Sequence, residues 1–154
     1  MNNFVEIDGG KSLINLNNVT NIAFKNNRII FNFSNNIEIN TRRGIQVIAD
    51  YRYDDYSNDD EFNKNAEKLV RKLEQSGFIS PVNVGYDHHW VNPKHITFIN
   101  IDKRKKRLIF NLANSVTKPV EGDAIMLVND FVFWTHDTDA ELDLSISAVF
   151  TTLN

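Results

Sequence analysis

Apolar and polar positions follow a period of two over most of the chain and change to a helical period twice. Ile29, Phe31 and Phe33 share one side of a strand predicted over 28–33. Shorter strands are predicted over 13–16, 21–25 and 37–40. Asn26-Asn27 between two of them suits a tight hairpin whose central residues need positive φ, and Ser34-Asn35-Asn36 marks a further turn. A longer strand is predicted over 45–53. Ile45, Val47, Ala49, Tyr51 and Tyr53 fall on one side, expected to face the core, while Gln46, Asp50 and Arg52 join Ile48 on the other.

The helical period begins at Phe62. Phe62, Ala66, Leu69, Val70 and Leu73 follow the rhythm of one buried helix face, and Leu142, Ile146, Val149, Phe150 and Leu153 repeat it. Asn58-Asp59-Asp60-Glu61 and Thr138-Asp139-Ala140-Glu141 open the two helices with the same capping signature. Gly77 supplies a natural end to the first.

These likenesses extend over nearly the whole chain. The stretch from Ile14 to Ile22 lines up with that from Val91 to Ile99, and Arg28-Ile29-Ile30-Phe31-Asn32 with Arg107-Leu108-Ile109-Phe110-Asn111. Asp50, Asp59 and Glu61 fall on Asp130, Asp139 and Glu141. The expected fold is therefore α+β, an internal duplication of a mostly antiparallel four- to five-stranded sheet plus one C-terminal helix. Two units, 1–79 and 80–154, are expected to pack as one pseudo-symmetric domain, with 78–85 and its Pro81 as linker. The copies differ in one strand. Ile125, Leu127, Phe131 and Phe133 lie on one side and Met126, Val128, Val132 and Trp134 on the other, so both faces are apolar. Such a strand is expected to lie centrally or to form an interface between copies or subunits.

A duplicated four-stranded sheet plus helix resembles the Whirly and PUR families of single-stranded nucleic-acid binders, without the lysine-glycine string of the Whirly proteins. Trp90-Val91-Asn92-Pro93-Lys94-His95-Ile96 and Asn40-Thr41-Arg42-Arg43 resemble the strand and basic element of LytTR-type DNA-binding domains over about 35 residues. That second resemblance implies that Arg42, Arg43 and His95 face DNA.

Composition bounds these expectations. A chain of 154 residues can bury a core without staples, and the lack of cysteine removes disulfides, thiol nucleophiles and Cys-ligated metal. The first residues carry Glu6 and Asp8 without a basic head, and no apolar stretch is long enough to cross a bilayer, so a soluble cytoplasmic protein is expected. The formal charge of −3 is unfavourable to polyanion binding, but it is unevenly spread. Lys103-Arg104-Lys105-Lys106-Arg107 concentrates five cations where the first copy has its Asn-Asn turn, so a basic hairpin tip is expected. The alternative use of such a tip is to keep a sheet edge soluble.

The residues expected to meet nucleic acid are Lys103, Arg104, Lys105, Lys106 and Arg107, with Arg28 as the matching position of Arg107, Arg42 and Arg43 from the resemblance, and Trp90 and Trp134 as stacking rings. Tyr51 and Tyr53 are assigned to the core, and Tyr56 is a further stacking candidate. Asp87-His88-His89 and His136-Asp137 hold metal-ligand types, yet adjacent histidines on a strand point apart, and no metal or other cofactor is expected. Asp54, Asp55, Asp59, Asp60 and Glu61 lack the glycine of a calcium loop, and Asp8-Gly9-Gly10-Lys11-Ser12 lacks the upstream glycine of a phosphate loop. No spacing singles out a nucleophile. The expected function is non-enzymatic binding of single-stranded DNA or RNA through a sheet face and the basic hairpin. The alternative is a protein-interaction or assembly module of phage or mobile-element type, forming a homodimer or binding a protein partner.

Overall fold

The computed structural model describes residues 3–81, 89–119 and 125–154. β1 (Phe4–Ile7) and β2 (Ser12–Asn15) form a two-stranded antiparallel sheet. A four-stranded antiparallel sheet follows, made by β3 (Val19–Lys25), β4 (Arg28–Thr41), β5 (Gly44–Asp55) and the later β6 (Trp90–Val91), in the order β5-β4-β3-β6. The second half supplies a three-stranded antiparallel sheet of β7 (Ile96–Asp102), β8 (Arg107–Pro119) and β9 (Ile125–Thr135). Helices α1 (Asp59–Gln75) and α2 (Asp139–Leu153) close the two halves. The α+β class is therefore as expected. No helix among the described residues is long and apolar enough to cross a membrane.

Local chemistry explains most element boundaries. Asn26 and Asn27 both adopt positive φ, 52° and 60°, which asparagine tolerates and which a two-residue hairpin requires. Asn58 and Thr138 accept from the backbone N–H of Glu61 and Glu141, satisfying donors that the helix itself leaves orphaned. Gly77, at φ 84°, lets the Phe78 N–H reach back to the Leu73 carbonyl and ends α1. Ser34-Asn35-Asn36 does not turn the chain. β4 runs straight through it, and the extra residues are absorbed as a bulge between Asn32 and Asn36. A matching irregularity lies between Asn111 and Ser115 in the second sheet.

Two cores result. The first gathers Ile22, Phe24, Ile29, Phe31 and the α1 residues Phe62, Ala66, Leu69 and Leu73 beneath the β1–β2 hairpin. The second gathers Leu108, Phe110, Leu112, Trp134, Leu142 and Val149. Phe78 and Ile79, expected to begin a linker, are buried, and Ile79 bridges Val91. β6 ties the cores together, because adjacent strand residues point to opposite faces: Trp90 enters the first core and Val91 the second. The long hairpins also touch, with Asn36 Nδ2 donating to the Ser115 carbonyl at 2.8 Å and the Val47 N–H to Thr117 Oγ1 at 2.9 Å.

Three expectations about packing are corrected. Register places Ile29 opposite Asp54 and Ile30 opposite Tyr53, and α1 packs on the Ile29 and Phe31 side, so Tyr51 and Tyr53 face away from the helix. Phe150 and Leu153 are exposed rather than buried, while Ser145 takes an inward position beside Leu142 and Val149. β9 lies at an edge among the described strands rather than centrally, with the Leu127, Phe131 and Phe133 side exposed and Trp134 on the other side buried.

Tyr56 gives the first core a pH dependence at high pH. The Tyr56 hydroxyl donates to Asp54 Oδ2, and the Asp8 N–H also donates to Asp54. Burial, reinforced by the Asp54 hydrogen bond, pushes the Tyr56 phenol well above its ordinary value. A raised phenol pKa favours the neutral form in the fold, so this stabilisation is complete below the unfolded value of about 10 and is lost as pH rises through the folded value. Urea midpoints measured above that pH should fall for the natural protein and fall less steeply for Tyr56→Phe. Equal slopes would show that Tyr56 ionises freely in the fold.

Candidate nucleic-acid interface

The helix-free faces of the two large sheets carry corresponding rows of side chains. Cross-strand register sets Asn21, Asn32 and Tyr51 abreast in the first sheet, and Ala23, Ile30 and Tyr53 abreast in the next row. In the second sheet the rows are Phe98, Asn111, Phe131 and Asn100, Ile109, Phe133. Strands lie roughly 4.8 Å apart, so Phe98 and Phe131 flank the Asn111 amide about 10 Å from one another at the backbone. Phe98, Asn111, Phe131, Lys118, Val128 and Asn129 line a shallow groove of about 800 Å³ there.

Cations lie over the aromatic rungs of both sheets. The Tyr51 and Tyr53 rings are 5.0 Å apart, and the Arg28 guanidinium lies 4.1 Å from the Tyr53 centroid. Phe131 and Phe133 stack at 6.2 Å with their planes 21° apart. Arg107 lies 4.7 Å from the Phe133 centroid and Lys118 5.5 Å from that of Phe131. Such stacking favours a cation near a ring without neutralising it. The first sheet adds carboxylates. Arg28 grips Asp55 at 2.5 and 3.3 Å, and that hydrogen bond raises the Arg28 pKa above its ordinary value. Burial works to raise Asp50, but hydrogen bonds from Asn35 and the Tyr51 N–H and the charge of Arg52 outweigh it, leaving this carboxyl below its ordinary value.

The basic tip has its own local cause. Asp102 Oδ1 accepts from the Lys105 N–H at 3.1 Å, and Lys106 turns at φ 54°, so the turn projects Lys103, Arg104 and Lys105 into solvent. Arg107 follows as the first residue of β8, next to Phe133. The tip and the aromatic rungs are thus adjacent. Arg42 and Arg43 sit exposed in the turn at the far end of the β4–β5 hairpin from Arg28, and do not join it. His95 holds the Asn17 carbonyl through Nε2 at 2.7 Å.

Two expected stacking residues are corrected. Trp134 is 0% exposed and Trp90 6%, because both rings fill cores, and the Trp134 Nε1–H donates to the His89 carbonyl at 2.8 Å. Neither presents a ring face to a base. Phe98, Phe131, Phe133 and Lys118, which sequence reasoning passed over, occupy the exposed face instead. The alternation of Phe131 and Phe133 was the available signal. His88 and Asp87 lie outside the described residues, His136 is buried, and among the described residues no three His, Cys, Asp or Glu side chains are grouped to hold a metal. A separate cleft of about 880 Å³ beside the β1–β2 hairpin is lined by Glu6, Asp8, Asp54, Asp55 and Glu61 against Lys68 and Lys72, a net negative charge that disfavours phosphate.

Comparison with known proteins adds no relative. No family model, curated protein sequence or solved structure matches this chain.

Proposed function

We propose that the protein binds single-stranded nucleic acid on a helix-free sheet face, with bases on exposed aromatic rings and phosphates on the neighbouring cations. One observation carries this reading: the exposed Phe98, Phe131 and Phe133 share a face with Arg107 and Lys118 and adjoin the Lys103–Lys106 tip. Every base has a π-face, and stacking on an aromatic ring is worth about 1–3 kcal/mol per base without sequence readout. Paired bases in a duplex hide those faces, so the site favours single strands. This is also the mode that the resemblance to the Whirly and PUR families implies.

Fluorescence anisotropy at low salt tests the reading with a labelled short oligodeoxythymidine and a labelled duplex of similar length. The single strand should bind more tightly, and its affinity should fall as salt rises. Absence of single-strand binding at low salt overturns the reading.

A second reading, self-association or capture of a protein partner, is favoured by a separate observation. β9 exposes Met126 and Leu127, and α2 exposes Leu144, Phe150 and Leu153, with no charged residue in the helix after Asp143. Light scattering tests the self-associating form: a dimer supports it and a strict monomer counts against it.

A further inference from the structure

We infer that the strand-binding face is confined to the second sheet, so that each chain takes one single strand; this rests on the nucleic-acid role proposed above. The sheets present corresponding rows, and Tyr53 at 42% is as exposed as Phe131 and Phe133 at 37% and 41%, but the first sheet is closed by its own chain at its β3 edge. Where the second sheet has Phe98, 49% exposed, the first has Asn21 at 2%. Asn21 donates to Thr20 Oγ1 at 2.8 Å, accepts from Asn32 Nδ2 at 3.0 Å, and meets His89 Nδ1 at 2.5 Å. β6 runs along the outer edge of β3, with Trp90 opposite Ile22 and Val91 opposite Asn21, while β7 pairs only with β8 among the described strands.

The charges diverge in the same direction. Opposite Arg28 the ladder places Asp55, which holds the guanidinium; opposite Arg107 it places Thr135. Arg107 approaches Asp102 only at 3.7 Å, too far for a hydrogen bond, and its buried Nε makes none, so the guanidinium is held less tightly than that of Arg28. A guanidinium already satisfied by a carboxylate gains little from a phosphate, whereas an unsatisfied one gains a partner. Lys118, over Phe131, pairs in register with Met126, and the corresponding pair in the first sheet is Ile39 with Gln46. The tip of the second sheet is Lys103–Lys106, that of the first Asn26-Asn27. Ring access at the β7 edge, the looser pairing of Arg107 and the tip charge therefore favour the second sheet.

The test compares Phe98→Ala with Phe131→Ala in one variant and Tyr51→Ala with Tyr53→Ala in another, using labelled oligodeoxythymidine of about 12 nucleotides. Circular dichroism confirms that each variant is folded. The phenylalanine variant should bind at least about tenfold more weakly, the tyrosine variant within about threefold of the natural protein, and titration should saturate at one strand per chain. Comparable losses in both variants, or two strands per chain, would overturn the inference and leave the proposed function standing. No binding by the natural protein would overturn both.

Discussion

Replacing Trp134 with alanine is expected to lower the unfolding free energy by about 3–5 kcal/mol, the cost of removing a large aromatic ring from a closed core. The ring is wholly buried, meets Phe110 edge-on at 4.6 Å and 61°, and donates to the His89 carbonyl. The substitution therefore opens a cavity in the second core and takes the donor from the chain segment that leads into β6. Domains of this kind have only about 5–15 kcal/mol to lose. Trp134→Phe keeps most of the volume but not the N–H, and should cost about 1–3 kcal/mol. Urea denaturation followed by far-ultraviolet circular dichroism measures both. A loss under about 1 kcal/mol for the alanine variant would mean that the ring does not close this core.

The second large effect is on binding. Lys103, Arg104 and Lys105 are exposed and Lys106 half-buried, and the turn meets the buried His136 through the Lys106 carbonyl rather than a side chain, so reversing the lysines is expected to leave folding intact. Lys103→Glu, Lys105→Glu and Lys106→Glu together should weaken oligonucleotide binding by about a hundredfold at low salt and reduce the log–log salt slope by about 2, from roughly 0.7 per lost phosphate contact on a single strand. An unchanged slope would remove the tip from the phosphate path. If the tip serves only to keep the edge soluble, the same variant should aggregate while its affinity stays the same.

What the chain revealed before folding was what short-range chemistry decides. The Asn26-Asn27 turn, the Asn58 and Thr138 caps, the Gly77 stop and the basic tip each depend on a few neighbouring residues, and each is present as expected. Positions fixed by distant partners were not legible. Tyr51 and Tyr53 alternate as core residues would, but only register against β4 and the seat of α1 decide which face is inward. Trp90 and Trp134 are near loops in sequence, yet the antiparallel pairing of Trp90 with Ile22 and the reach of Trp134 to His89 draw both rings inside. Ser34-Asn35-Asn36 has turn composition, but the ladder on either side was strong enough to hold it as a bulge. Of the candidate interface, the cations of the 103–107 tip could be read from charge alone, but Lys118 could not. Alternation places Phe131 and Phe133 on one face, but whether that face is exposed is not decided until the other face of the sheet is known to carry the helix.

The most direct test is a nuclear magnetic resonance titration of isotopically labelled protein with a short single-stranded oligonucleotide, following each backbone amide. The strand-binding account predicts the largest shifts at Phe98, Asn100, Asn111, Phe131 and Phe133 and along the 103–107 tip, with the amides of α1 and α2 little changed. Shifts concentrated on α2, or none at saturating oligonucleotide, would contradict it.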